Sequence, residues 1–129
     1  MASKASSGVT GRRILVVEDE YLIAFDVAEW LEEQGADVLG PVPSVSEALA
    51  LLEATPLPDA AVLDINLGSE QVFRVADMLQ ASDVPFVFVT GYDPGLIPAR
   101  YAAARRCIKP LDRTRLLRTL AEVLHGELR

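Results

Sequence analysis

The stretch Asp59-Ala60-Ala61-Val62-Leu63-Asp64-Ile65-Asn66-Leu67-Gly68 decides the fold. Ala60 to Leu63 is an unbroken apolar run, the pattern of a central strand in a parallel sheet covered by helices on both faces. Asp64 follows at the carboxyl end of the run, with turn residues directly behind it. In open α/β sheets, ligands bind in the crevice outside the carboxyl ends of the strands. Taken alone, an Asp in this position is simply the cap of a loop. It becomes a candidate because of the polar residues that close the other strands.

Outward from that strand, Arg13 to Val17 is a β-branched apolar run that ends in three acids, Glu18-Asp19-Glu20. Glu20 suits the first turn of a helix, where the dipole favours negative charge. That helix is expected from about Glu20 to Gln34, with Ile23, Val27, Trp30 and Leu31 at helical spacing and a stop before Gly35. A second strand is expected over Ala36 to Gly40, with Pro41 and Pro43 marking a loop. Ser44-Val45-Ser46-Glu47 is a capping box that opens a helix running to about Ala54. After the Asp64 strand, a third helix is expected from about Glu70 to Ala81. A fourth strand, Pro85 to Val89, ends in Thr90-Gly91-Tyr92. Pro94, Gly95 and Pro98 break the following stretch and leave room at best for a short helix over Ala99 to Ala104. Arg106 to Ile108 is a short fifth strand ending in Lys109-Pro110, and a last helix covers about Asp112 to His125. Strands alternating with helices imply βαβ units and a doubly wound five-stranded parallel sheet of the α/β class, with a shortened or irregular fourth helix.

Composition bounds the function. The 129 residues fit one domain with a real core, read as a flexible tail over residues 1–11 and a domain over 12–126. Twelve basic against 19 acidic side chains give a net charge of −7, which lacks the positive field that nucleic acid requires. A single cysteine excludes an internal disulfide and suits a reducing cytoplasm, the expected location. No apolar run approaches the roughly 18–20 residues that span a bilayer, so no membrane association is expected.

The strand ends collect Glu18 and Asp19, Asp64, Thr90 and Lys109. Three neighbouring carboxylates repel one another unless a hard cation such as Mg²⁺ relieves them, and Mg²⁺ is typically held by one or two carboxylates with phosphate oxygens. Lys109 offers a point charge for a phosphoryl oxygen, and Thr90 a hydroxyl donor. This set of groups describes phosphoryl transfer to a carboxylate nucleophile.

Ile14-Leu15-Val16-Val17-Glu18-Asp19-Glu20, Val62-Leu63-Asp64-Ile65-Asn66, Val89-Thr90-Gly91 and Lys109-Pro110 together resemble the motifs of response-regulator receiver domains, over about Arg13 to Leu124. Phe86-Val87-Phe88-Val89-Thr90-Gly91-Tyr92 and Leu96-Ile97-Pro98-Ala99-Arg100-Tyr101 further resemble the FATGUY type of single-domain receiver. The resemblance implies the flavodoxin-like strand order 2-1-3-4-5 and a cis Lys109–Pro110 bond. It also implies Asp64 as phosphoacceptor, with Mg²⁺ on Asp19, Asp64 and the backbone carbonyl of Asn66. Glu18 acts there directly or through water, and Lys109 and Thr90 meet the phosphoryl oxygens. The implied partners are a histidine kinase or phosphotransfer protein, and the implied chemistry is confined to the domain's own phosphorylation and dephosphorylation.

Three positions depart from the family. Gly68 stands where most receivers have proline, which predicts a more mobile loop after Asp64. Arg106 stands where most carry a switch aromatic, and the fourth helix is broken. Tyr92, with help from Tyr101, is therefore expected to take part of the switching role. His125 and Cys107 are read as bystanders, one at a frayed helix end and one in the core. Output is expected through protein contacts, whether the chain is complete or a receiver cut from a longer protein. The competing reading is a small Mg²⁺-dependent phosphatase with an aspartyl-phosphate intermediate. Such enzymes need a second acid two residues after the nucleophile, and Asn66 cannot donate a proton in that role.

Overall fold

The fold was obtained as a computed structural model, which describes residues 8–91 and 97–126. Along the chain the elements are β1 (Arg13–Val17), α1 (Tyr21–Glu33), β2 (Asp37–Val42), α2 (Val45–Ala54), β3 (Ala60–Asp64), β4 (Asn66–Leu67), β5 (Glu70–Gln71), α3 (Phe73–Ala81), β6 (Phe86–Thr90), β7 (Arg106–Ile108) and α4 (Arg113–Leu124). Five strands form one sheet in the order β2-β1-β3-β6-β7, all parallel. This is the expected 2-1-3-4-5 order, with two numbers taken by a small extra pair, β4 and β5.

The apolar runs are unbroken because successive side chains feed two separate cores. Leu15, Val17, Ala61, Leu63 and Phe88 pack with Ala48, Leu52, Ala76 and Leu79 of α2 and α3. Ile14, Val16, Val62, Val87 and Val89 pack with Val27, Leu31, Leu116 and Leu120 of α1 and α4. Each large apolar side chain taken fully from water contributes about 1.5–3 kcal/mol, so the doubly covered central strands anchor the domain. Ser44 caps α2 as its sequence predicts, its Oγ accepting the Glu47 N–H at 3.2 Å.

Four expectations are corrected. β2 runs two residues further than the Pro41 signal suggests, through a cis Gly40–Pro41 bond, while the Lys109–Pro110 bond is cis as the resemblance implies. Proline is tolerated because β2 lies at the sheet edge, where no outer strand needs its missing donor. Gly40, at φ +99°, is fixed by space as well: a Cβ there would sit 2.9 Å from the Val42 nitrogen and 3.0 Å from the Val16 carbonyl.

The segment after Asp64 is a hairpin rather than an open loop. Asn66 pairs with Gln71 and Leu67 with Glu70, and Gly68 turns the chain at φ +68°. α3 therefore starts at Phe73, three residues later than its periodicity suggests. Between β6 and β7 the described residues contain only a 3-10 turn, Ala99–Tyr101, and no helix reaching Ala104. Finally, residues 8–11 depart from a loose tail. Val9 is 1% exposed, the Gly11 N–H donates to the Gly35 carbonyl at 2.8 Å, and the Thr10 hydroxyl donates to the Gln34 carbonyl at 2.7 Å. Residues 1–7 of the expected tail lie outside the described residues.

Candidate functional site

The parallel register brings four strand ends to one edge. Val17 of β1 lies opposite Leu63 of β3, and Asp64 lies opposite Val89 of β6. The ladder continues past the strands: the Ile65 N–H donates to the Val89 carbonyl and the Lys109 N–H to the Thr90 carbonyl, each at 2.9 Å. Glu18, Asp64, Thr90 and Lys109 thus sit side by side because each ends or follows a strand in register. Glu18 is 5% exposed and Asp64 3%. Thr90 is likewise buried, while Lys109 reaches in from the rim.

Lys109 is the hub. Its Nζ lies 2.7 Å from Glu20, 3.1 Å from Asp64 Oδ2 and 3.5 Å from Glu18 Oε2. Burial works against the ammonium, yet Glu20, Asp64 and Glu18 outweigh it and hold the Lys109 pKa above its ordinary value. Glu18 goes the other way for a carboxyl. Burial, reinforced by its hydrogen bond and charge interaction with Asp64, pushes its pKa up to about 8, against the opposing pull of the Glu20 N–H and Lys109. Burial and Asp64 thus favour the protonated form of Glu18, while the Glu20 N–H and Lys109 favour its carboxylate.

The structure gathers Glu18, Asp64 and Lys109 in direct contact and sets Thr90 on the adjacent strand end. The Asn66 N–H donates to Asp64 Oδ1 at 3.2 Å, which fixes the start of the hairpin against the acid. Asp19 is exposed and directed toward the turn: a Cβ built on Gly68 would lie 3.8 Å from its Oδ2. Tyr92 lies outside the described residues.

Tyr101 is held away from the acids. Its ring is buried against Phe73, Phe86 and Phe88, with centroids 6.0, 5.7 and 5.4 Å away. Its hydroxyl donates to Asp77, which Arg100 also grips with two bonds of 3.0 and 3.1 Å. Burial and that carboxylate push the Tyr101 pKa up to about 12. Arg106, in the switch-aromatic position, ties down the same turn by donating to the Ala102 carbonyl at 3.0 Å.

Glu20 was absent from the candidate site: it belongs to the run of acids after the first strand, but its role was assigned to a helix first turn. The residue is the N-cap of α1 but makes no side-chain cap bond, because its carboxylate goes to Lys109. The signal was present in the run of three acids directly after β1, all of which follow the same buried strand.

The donor set fits a hard divalent cation. One carboxylate oxygen from each of Glu18, Glu20 and Asp64 lies within 4.8 Å of the others; Glu20 is exposed and taken up by Lys109 at 2.7 Å, which leaves Glu18 and Asp64 as the buried oxygen donors for such a cation.

Comparison with known proteins adds the family. Residues 14–121 match the model of the response regulator receiver domain. The phyllosphere-induced regulator PhyR of Methylorubrum extorquens is 34% identical over 95 residues, covering 72% of this chain and 34% of PhyR. The sensory transduction protein LytT of Bacillus cereus is 32% identical over 112 residues, covering 84% of this chain and 45% of LytT. The chain thus spans less than half the length of these curated relatives. The solution structure of SdrG from Sphingomonas melonis Fr1 superimposes with a TM-score of 0.77 at 39% identity, covering 92% of this chain and 98% of that one.

Proposed function

The chain belongs to the response regulator receiver domain family, and from that premise we propose that it is a signalling switch that accepts a phosphoryl group on Asp64 and passes the change on by protein contact. The observation that carries the reading is the buried Asp64 carboxylate with the Lys109 ammonium 3.1 Å away, flanked by further acids at one sheet edge. The phosphodonor is a histidine kinase or phosphotransfer protein. Asp64 Oδ attacks phosphorus, and the new O–P bond forms as the donor's N–P bond breaks, leaving neutral imidazole once a proton is supplied. Lys109 and the Thr90 hydroxyl meet the phosphoryl oxygens where charge develops.

Mg²⁺ would be held by Asp19, Asp64 and the Asn66 carbonyl, with Glu18 direct or through water; when bound it neutralises charge on the transferring group. Glu18 would join that set as the carboxylate. The only chemistry the domain catalyses is its own phosphorylation and dephosphorylation. No helix among the described residues is long and apolar enough to cross a membrane, which is compatible with a cytoplasmic switch.

The experiment is to incubate the protein with acetyl phosphate, with and without Mg²⁺, and to count phosphoryl groups bound against phosphate released. The proposal expects Mg²⁺-dependent uptake of up to one group per chain and slow release. Rapid multiple turnover of an unrelated monoester such as p-nitrophenyl phosphate would instead favour a phosphatase.

A further inference from the structure

Resting on the phosphoacceptor reading, we propose that Glu20 is a positioning residue that competes with the incoming phosphoryl group for Lys109. A lysine ammonium carries three N–H donors and no acceptor. In the resting site three carboxylates surround Lys109 Nζ, at 2.7 Å (Glu20), 3.1 Å (Asp64) and 3.5 Å (Glu18). A phosphoryl oxygen can gain a donor from Lys109 only when one of these contacts opens.

The three are not equally free to open. The side chains of Glu18 and Asp64 are 4% and 3% exposed, so withdrawing the ammonium leaves a buried acceptor unpaired at Glu18 and a buried charge uncompensated at Asp64. The Glu20 side chain is 58% exposed and is taken up by water when released. Its departure does not unpick α1 either. Glu20 makes no side-chain cap bond there, and its own N–H is satisfied by Glu18 Oε2 at 3.1 Å. Glu20 is therefore the partner that yields: one anion replaces another at Lys109, and phosphoryl binding bears the cost of the pair it opens. The rim acid thereby holds Lys109 in place at rest and weakens the site's grip on a phosphoryl group.

The test uses the full chain, with Mg²⁺ alone and then Mg²⁺ plus beryllofluoride as the phosphoryl stand-in, both followed by calorimetry. The variants are Glu20→Gln and Glu20→Asp. The second keeps the charge but is one methylene shorter and falls short of Lys109. Both variants should bind beryllofluoride about two- to fivefold more tightly than wild type, the range of a partly exposed ion pair. Mg²⁺ affinity measured alone should stay unchanged. The difference should shrink at high ionic strength, because exposed pairs are screened.

If only Glu20→Gln binds more tightly, the effect is the loss of one negative charge and competition is refuted. If both variants lose Mg²⁺ affinity, Glu20 is a metal ligand and the proposal falls. Wild-type affinities in both variants refute it as well. All three results leave the phosphoacceptor reading standing. A wild-type protein that ignores beryllofluoride with Mg²⁺ present overturns that reading and this inference together.

Discussion

Replacing Glu18 by Gln should flatten the pH dependence of the metal-free protein's stability. Burial beside Asp64 raises the folded-state pKa of Glu18 from 4.5 to about 8. The folded form therefore binds a proton that the unfolded chain has released throughout that window. For a raised pKa, the stabilisation is complete below 4.5 and is lost as pH rises through the folded value. One such proton gives a slope of at most about 1.4 kcal/mol per pH unit, so roughly 3 kcal/mol between pH 5.5 and 7.5. In a domain of this size that is a fall in melting temperature of about 10 °C. Glu18→Gln keeps the shape and stays neutral, so the difference between wild type and variant isolates this proton from all other titrations. Thermal melts of both proteins in chelator across this range make the measurement. Parallel curves for the two proteins would refute the account of a neutral, desolvated Glu18.

Lys109→Met removes the counter-charge of the buried Asp64, and chemical denaturation near pH 8 should show a loss of about 3–5 kcal/mol, the cost of breaking a buried pair by removing one partner. Millimolar Mg²⁺ should recover part of it. Gly8→Val should destabilise by about 1–3 kcal/mol in urea, because a Cβ on Gly8 would lie 2.4 Å from the Ala121 Cβ. Ser44→Ala should cost about 1 kcal/mol through the lost α2 cap, with Ser44→Gly costing less.

The doubly wound sheet was legible because β1, β3 and β6 are buried on both faces, so their apolar runs carry no helical period. Asp64 and Glu18 were legible for a related reason: each is the first charged residue after such a run, whereas Lys109 was legible from the Lys109-Pro110 pair that closes the short strand Arg106–Ile108. What escaped notice depends on contacts distant in sequence. Glu20 looks like an ordinary helix-start acid until β7, 89 residues on, delivers Lys109 to it. The β4–β5 hairpin is hidden because two-residue strands have no readable alternation, and Gly68 alone signals only a turn. Val9 is buried because Gly8 lets the chain lie against α4, which a run of small residues cannot announce. The surroundings of Tyr101 are likewise set by distant residues, its ring by the Phe73–Phe86–Phe88 cluster and its hydroxyl by Asp77.

The central claim is that Asp64 is the phosphoacceptor. Treating the protein with acetyl phosphate and Mg²⁺, reducing it with borohydride and mapping its peptides by mass spectrometry tests this directly, because borohydride converts an aspartyl phosphate to homoserine. The account predicts homoserine at position 64, dependent on Mg²⁺ and lost in Asp64→Asn. Homoserine at another aspartate, or equal labelling of Asp64→Asn, would contradict it.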